Sequence, residues 1–175
     1  EKFGTIDQKK KYLPLFASGE LRGGLGLTEP DAGTDLQGIR TKAEKKGKEY
    51  IINGTKTWIT NAIEGSCFAV LVKTNPEAIP PRKGISMFIL EKGEGFSISR
   101  RLEKLGYKGI DSGEMVFKDF KVSDSNLIGG VEGKGFYQAV GGLELGRINI
   151  AARSVGIAKR ALDEAVRYSQ ERKTF

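Results

Sequence analysis

The sequence predicts a mainly β fold: a small β-barrel-like domain set between a short N-terminal helix and a long C-terminal one. Three observations lead there. Between Gln37 and Val122, short runs rich in Val, Ile, Phe and Tyr alternate with turn-forming residues. Past Gly129, apolar residues recur at three- and four-residue steps. Ahead of Gly19 a single apolar cluster holds Tyr12, Leu13, Leu15, Phe16 and Ala17, enough for one helix and too little for a domain.

Taken in order, residues 8–18 read as a helix remnant that closes at Gly19, with Pro14 interrupting it. A glycine run of Gly23, Gly24 and Gly26 then leads into residues 28–35, where Pro30, Gly33 and the aspartates are turn formers. Residues 42–49 interleave Lys with Glu and read as a solvated surface. Strands are expected at 49–53, 55–60, 67–74, 85–91, 96–100 and 114–122, and Asn53-Gly54 between the first two predicts a hairpin turn. Beyond Gly129, Leu143, Ile148, Ala151, Val155, Leu162 and Val166 fall along one side of a long helix. That stripe needs partner helices which the remaining residues do not supply. The sequence therefore looks cut at both ends: residues 1–20 close one helical domain, 21–129 form the β-domain, and 130–175 begin a truncated second helical domain.

Composition removes whole reaction classes. Among 175 residues there is no histidine and one cysteine, Cys67, so a Ser-His-Asp triad, a Cys-His pair, a His-ligated zinc and an intrachain disulfide are all impossible, and no metal site is expected. Chemistry is left to carboxylates, hydroxyls, Lys, Arg, backbone amides or a bound cofactor. No stretch approaches the roughly 20 apolar residues that cross a bilayer, and no basic and apolar leader marks secretion, so cytoplasmic or organellar solution is expected. The formal charge of +7 suggests an anionic partner, for which nucleic acid, a nucleotide cofactor and coenzyme A all qualify.

Two segments carry the candidate chemistry. Residues 25–35, Leu-Gly-Leu-Thr-Glu-Pro-Asp-Ala-Gly-Thr-Asp, join hydroxyls, glycine-freed amides and a rigid proline, a combination that can cradle a phosphate or pyrophosphate. Taken alone, they also suit an ordinary polar turn. Residues 57–61, Thr-Trp-Ile-Thr-Asn, hold the sole tryptophan; on a strand Trp58 and Thr60 point to one side, so an aromatic plane and a hydroxyl face one cavity. A core tryptophan with an incidental threonine neighbour is the other reading. Further on, Glu144 and Arg147 lie at i and i+3, sharing a helix face where an ion pair or joint ligand contact is natural.

The order, content and separation of these two segments resemble the acyl-CoA dehydrogenase family. There the first reads Leu-Thr-Glu-Pro-x-Ala-Gly-Ser/Thr-Asp, and the second is Trp-Ile-Thr-Asn after an Ile-Asn-Gly turn. Residues 40–43, 117–119, 126–129, 133–136, 144–147 and 171–175 agree as well, so the likeness covers nearly the whole chain. The resemblance implies FAD as cofactor, held by a middle β-domain between two helical domains. By similarity, Leu25, Leu27 and Thr28 would meet the isoalloxazine ring, partly through backbone groups. Gly33 and Thr34 would lie near the pyrophosphate, with Thr34 also bordering the CoA chain. Trp58, followed by Ile59, would cover one face of the flavin, and Thr60 would hydrogen-bond near N5. Glu144 and Arg147 would belong to the acyl-CoA site. Arg172, Lys173 and Thr174 would reach the FAD of a neighbouring subunit, implying a homodimer or homotetramer.

The implied reaction is α,β-dehydrogenation of an acyl-CoA thioester to the trans-2-enoyl-CoA, with electrons passed on to an electron-transfer flavoprotein. Most family members carry the catalytic glutamate downstream of the position of Phe175, and a minority carry it where this chain has Gly146, so no catalytic base is expected within residues 1–175 and the 175-residue piece is expected to be inactive. Lys108, Ile110 and Ser112 depart from common family residues in a loop near the substrate edge. Oxidases and other flavin enzymes share the architecture and remain an alternative. A basic barrel binding single-stranded nucleic acid is the alternative of another class; it requires exposed aromatics among Lys and Arg, whereas Tyr50, Phe68, Phe88 and Phe117 sit within apolar strands.

Overall fold

The computed structural model describes residues 1–175. Its elements run α1 (Ile6–Ser18), β1 (Gly23–Gly26), β2 (Lys42–Lys46), β3 (Glu49–Thr60), β4 (Cys67–Lys73), β5 (Ile85–Glu91), β6 (Phe96–Arg101), β7 (Ser112–Ser123) and α2 (Gly135–Glu171). The strands form one mixed, curled sheet in the order β1-β4-β2-β3-β7-β6, with β5 added to β4. Both β1 and β2 run parallel to β4, at opposite ends of it, and the other pairings are antiparallel. Alternating residues of the long strands fill the inside of the curl: Tyr50 and Ile52 of β3, Phe68 and Val70 of β4, Phe88 of β5 and Phe117 of β7 are all buried. Tyr50 and Phe88 meet edge to face with centroids 4.8 Å apart. The aromatics that a nucleic-acid-binding face would need to expose are thus in the core.

The helix-and-barrel expectation holds, with three differences in detail. Asn53-Gly54 is not a hairpin turn: β3 runs through it, and the register with β7 slips between Ile52 and Gly54. The glycine is needed there for close approach, since a Cβ at Gly54 would lie 2.4 Å from Thr41 Oγ1, while Asn53 Oδ1 accepts from the Asp119 amide at 2.8 Å. The actual hairpin is β2–β3, turning at Gly47 with φ +65°. The glycine run is itself a strand, because only residues without a Cβ can lie so close to the neighbouring backbone; at Gly23 an added Cβ would stand 1.6 Å from Cys67 O. The charged run at 42–46 is strand β2, with only Ala43 buried, so it is a solvated surface as well.

Helix α1 continues through Pro14 and is started by a capping box, in which Gln8 N donates to Thr5 Oγ1 and Thr5 N donates to Gln8 Oε1. It is clipped to the barrel. The buried Gln8 donates from Nε2 to Ser125 O and Leu127 O, both at 2.8 Å, and the Tyr12 hydroxyl donates to Glu91 Oε1 at 2.8 Å. The hydrogen bonds from Lys11 and Tyr12 hold the Glu91 carboxyl below its ordinary range.

The chain divides into two compact units, Glu1–Ala139 and Val140–Phe175. The second is the body of α2, a 37-residue helix in all. Its apolar positions, among them Leu145, Ile148, Val155, Leu162 and Val166, are exposed, and ion pairs such as Lys159–Asp163 at 2.7 Å lie along it. No helix is long and apolar enough to cross a membrane.

Candidate functional site

The two chemistry-bearing segments meet. Thr57 N donates to Thr28 O at 2.9 Å, which ties the bend after β1 to the last third of β3. Thr28, Pro30, Asp31, Gly33, Trp58 and Arg100 line one hollow of about 480 Å³. The bend is closed by reciprocal backbone bonds between Glu29 and Ala32, while the amides of Gly33 and Thr34 donate to no group in the chain. Such free amides in an exposed turn suit a phosphate or pyrophosphate.

Trp58 reaches the hollow through a break in strand alternation. In a regular strand Lys56, Trp58 and Thr60 would share a face. Here the β3–β7 register slips between Lys56 and Ile59, and Trp58 takes φ +58°. Lys56 keeps the inward step of Tyr50 and Ile52; the bulge after it also turns Thr57 inward, leaves Trp58 57% exposed, and returns Ile59 to the core with Thr60 outside. A tryptophan in left-handed backbone costs about 1–2 kcal/mol, the kind of local strain that persists where the surroundings over-determine it.

A buried ion pair that the sequence did not single out backs the hollow, with Glu29 on its lining and Lys56 behind it. Lys56 is fully buried and its Nζ donates to Glu29 Oε1 at 2.8 Å and to Leu27 O at 3.1 Å. Glu29 also accepts from the amides of Arg40 at 2.5 Å and Thr41 at 3.0 Å. Burial pushes the Lys56 amine down to about 8, against the pull of Glu29. Burial alone would raise Glu29, but Lys56 and the Thr41 and Arg40 bonds outweigh it and hold the carboxyl below its ordinary range. Arg100 on the hollow's wall was also missed. Its guanidinium stands 3.3 Å from Glu114, whose carboxyl is held low by the hydrogen bond from Ser99 and by Arg100. The sequence reading ended one strand at Asn53 and began another at Thr55, and so missed that Lys56 continues the inward face of Tyr50 and Ile52.

The other sequence-derived residues fall in several places. The side chains of Leu27 and Ile59 are buried, leaving only their backbones to meet a ligand. Leu25 is exposed and borders a second, apolar cavity of about 400 Å³ with Phe16 and Phe68. Thr34 directly follows Gly33 and is exposed. In the loop that departs from common family residues, Lys108 is exposed, Ile110 half-buried and Ser112 buried at the start of β7. Glu144, Arg147, Arg172, Lys173 and Thr174 belong to the second compact unit. Glu144 and Arg147 stand exposed on α2 without an ion pair between them, and Arg172 Nη1 donates to the Tyr168 hydroxyl at 2.8 Å. No cluster of His, Cys, Asp and Glu could hold a metal ion.

A curled mixed sheet with one indole plane, hydroxyls and unused amides around a shared hollow defines a β-domain whose hollow has the groups that suit a planar, phosphate-bearing ligand. Comparison with known proteins narrows the class. Residues 24–120 match the family model for the acyl-CoA dehydrogenase middle domain, and residues 133–175 match that for the acyl-CoA dehydrogenase C-terminal domain. The mitochondrial isovaleryl-CoA dehydrogenase of Pongo abelii is 43% identical over 98% of this chain and 41% of its own length. The short-chain-specific acyl-CoA dehydrogenase of Clostridium acetobutylicum is 47% identical over 98% of this chain and 45% of its own. The crystal structure of acyl-CoA dehydrogenase from Geobacillus kaustophilus superposes with a TM-score of 0.94 at 41% identity, covering 99% of this chain and 46% of that one. The chain belongs to the acyl-CoA dehydrogenase family, and it spans less than half the length of these relatives.

Proposed function

We propose that residues 1–175 are the flavin-holding part of an acyl-CoA dehydrogenase, which takes a proton from the α-carbon and a hydride from the β-carbon of an acyl-CoA thioester. The observation that carries this reading is the convergence of Thr28, Gly33 and Trp58 on one hollow, with Thr57 N bonded to Thr28 O. FAD is the group these residues suit: when bound it supplies the acceptor for the hydride, and the enzyme passes the electrons to an electron-transfer flavoprotein. Trp58 offers the plane that covers the ring, and the Leu25, Leu27, Thr28 and Ile59 backbones with the Thr60 hydroxyl offer polar contacts to its edge. The free amides at Gly33 and Thr34 receive the pyrophosphate. Excluding water on the indole side strengthens every such bond.

In this reading Thr34, Glu144 and Arg147 contact the acyl-CoA, and Arg172, Lys173 and Thr174 reach the flavin of a second subunit in a homodimer or homotetramer. The three stretches 1–20, 21–129 and 130–175 are then the end of one helical domain, the middle domain and the start of another. The proton-abstracting carboxylate comes from outside residues 1–175, so this piece alone is inactive. The working compartment is the bacterial cytoplasm or the mitochondrial matrix.

The test is anaerobic addition of a panel of acyl-CoA esters to the FAD-loaded intact enzyme. The expected result is bleaching of the visible flavin band with an enoyl-CoA product, and colour restored by electron-transfer flavoprotein with little oxygen uptake. Rapid oxygen consumption instead marks an oxidase on this fold. A flavin unaffected by every acyl-CoA rejects the proposal.

A further inference from the structure

Thr28 is clamped from three directions, and all three anchors sit at one point on β3. Its own carbonyl accepts from Thr57 N at 2.9 Å. The carbonyl of the preceding residue, Leu27, accepts from Lys56 Nζ at 3.1 Å, and the carboxylate of the following residue, Glu29, accepts from the same ammonium at 2.8 Å. Glu29 then extends the tie to the amides of Arg40 and Thr41. One buried lysine and one buried glutamate therefore join the bend, the residues just ahead of β2 and the stretch of β3 that leads straight into the Trp58 bulge.

Stability is a poor explanation for this arrangement. Taking two charges from water costs about as much as their attraction returns, and apolar residues of like volume often serve as well or better. Direction is what an apolar pair lacks. A buried lysine ammonium can donate to a carboxylate and a backbone carbonyl at once, and here it ties the Leu27–Thr28 peptide to the Glu29 side chain while Thr57 N holds the Thr28 carbonyl. The same clamp borders the left-handed Trp58, whose conformation needs its neighbours fixed. Lys56 is fully buried and has no place on the hollow, so it acts only through what it holds.

We propose that the Glu29–Lys56 pair is the positioning element of the flavin site: it fixes the Leu27 and Thr28 backbone against the Trp58 bulge and thereby sets how tightly and in what electronic environment the flavin is held. The inference rests on the flavin reading above. It assigns to Glu29 and Lys56 a role in ligand geometry that their burial alone would not suggest.

The experiment uses the intact enzyme and the paired variant Glu29→Gln/Lys56→Met, which removes both charges at nearly constant volume, beside Glu29→Gln alone. Urea midpoint, FAD dissociation constant, visible flavin band and flavin reduction potential are measured on each. The paired variant is expected to unfold near the parental midpoint yet to bind FAD at least about tenfold more weakly, with a displaced visible band and a shifted potential. Should it fail to fold, Glu29→Gln carries the test, with a several-fold loosening and the same spectral displacement expected. A folded variant whose FAD affinity, band and potential all match the parent reduces the pair to a structural ion pair and overturns the proposal. A parent that takes up no FAD at all overturns the flavin reading itself, and the proposal with it.

Discussion

Replacing Trp58 separately by Ala and by Gly tests the geometry of the bulge. The indole is 57% exposed, so less than half of its surface is covered. With roughly 250 Å² for a large aromatic, about 100 Å² of burial is lost on truncation. At about 25 cal/mol per Å² this is at most ~2.5 kcal/mol. Alanine loses that contact and keeps the penalty of left-handed backbone at φ +58°, so Trp58→Ala is expected to cost about 2 kcal/mol. Glycine loses the same contact but relieves about 1–2 kcal/mol of backbone strain, against about 0.5–1 kcal/mol of extra chain entropy. Trp58→Gly should therefore be the more stable of the two by about 0.5–1 kcal/mol, the reverse of the usual order inside a strand. Urea unfolding at constant slope reads the difference directly. An alanine variant equal to or more stable than the glycine variant would refute the left-handed bulge, and with it the account of how Trp58 reaches the hollow.

Other expectations follow from the same structure. Gly23→Ala places a Cβ 1.6 Å from Cys67 O, so β1 must leave β4; a loss of more than about 3 kcal/mol or failure to fold is expected, and a variant with a near-parental urea midpoint would contradict the β1–β4 register. Cys67 is buried and its thiol is pushed up to about 11 by burial, so thiol reagents at pH 8 should modify it only in step with global unfolding; fast labelling of the native protein argues against its placement in β4. Glu29 and Glu91 are both held below the ordinary carboxylate range, so the folded state binds fewer protons than the unfolded one in mild acid. Their stabilisation is complete above the unfolded value of about 4.3 and drains away as pH falls through their folded values. Urea midpoints measured downward from pH 6 should fall below about pH 4, and the fall should be smaller in Glu91→Gln, where one such group is gone.

Much of the architecture was legible because it is written in local patterns. Short apolar runs between turn-forming residues marked β4 and β5, the three-and-four spacing marked α2, and Gly19 marked the end of α1. What escaped depends on contacts between distant segments. Asn53-Gly54 has the residues of a tight turn, yet Thr41 lies so close that the glycine serves an approach inside a strand. The strand at Gly23–Gly26 carries no β-forming side chains, and its pairing exists because nothing obstructs the β4 backbone. At the site, Thr28, Gly33 and Trp58 were identifiable by residue type. Lys56 was hidden, since the expected break at Asn53-Gly54 obscured that it keeps the inward step of Tyr50 and Ile52, and a lysine does not read as a core residue. Glu29 stood within a recognisable segment, but its role appears only when the amides of Arg40 and Thr41 are seen to converge on it.

Trp58 is the single tryptophan of these 175 residues, which makes its emission a direct reporter of the claim that a flavin ring stacks in the hollow it shares with Thr28. The measurement is tryptophan fluorescence of the intact apo-enzyme during FAD titration, with Trp58→Phe subtracted to isolate this indole. Saturable quenching of the Trp58 component, complete at one FAD per subunit, is the predicted result. FAD bound at that stoichiometry with the Trp58 component undiminished would put the ring elsewhere and contradict the account.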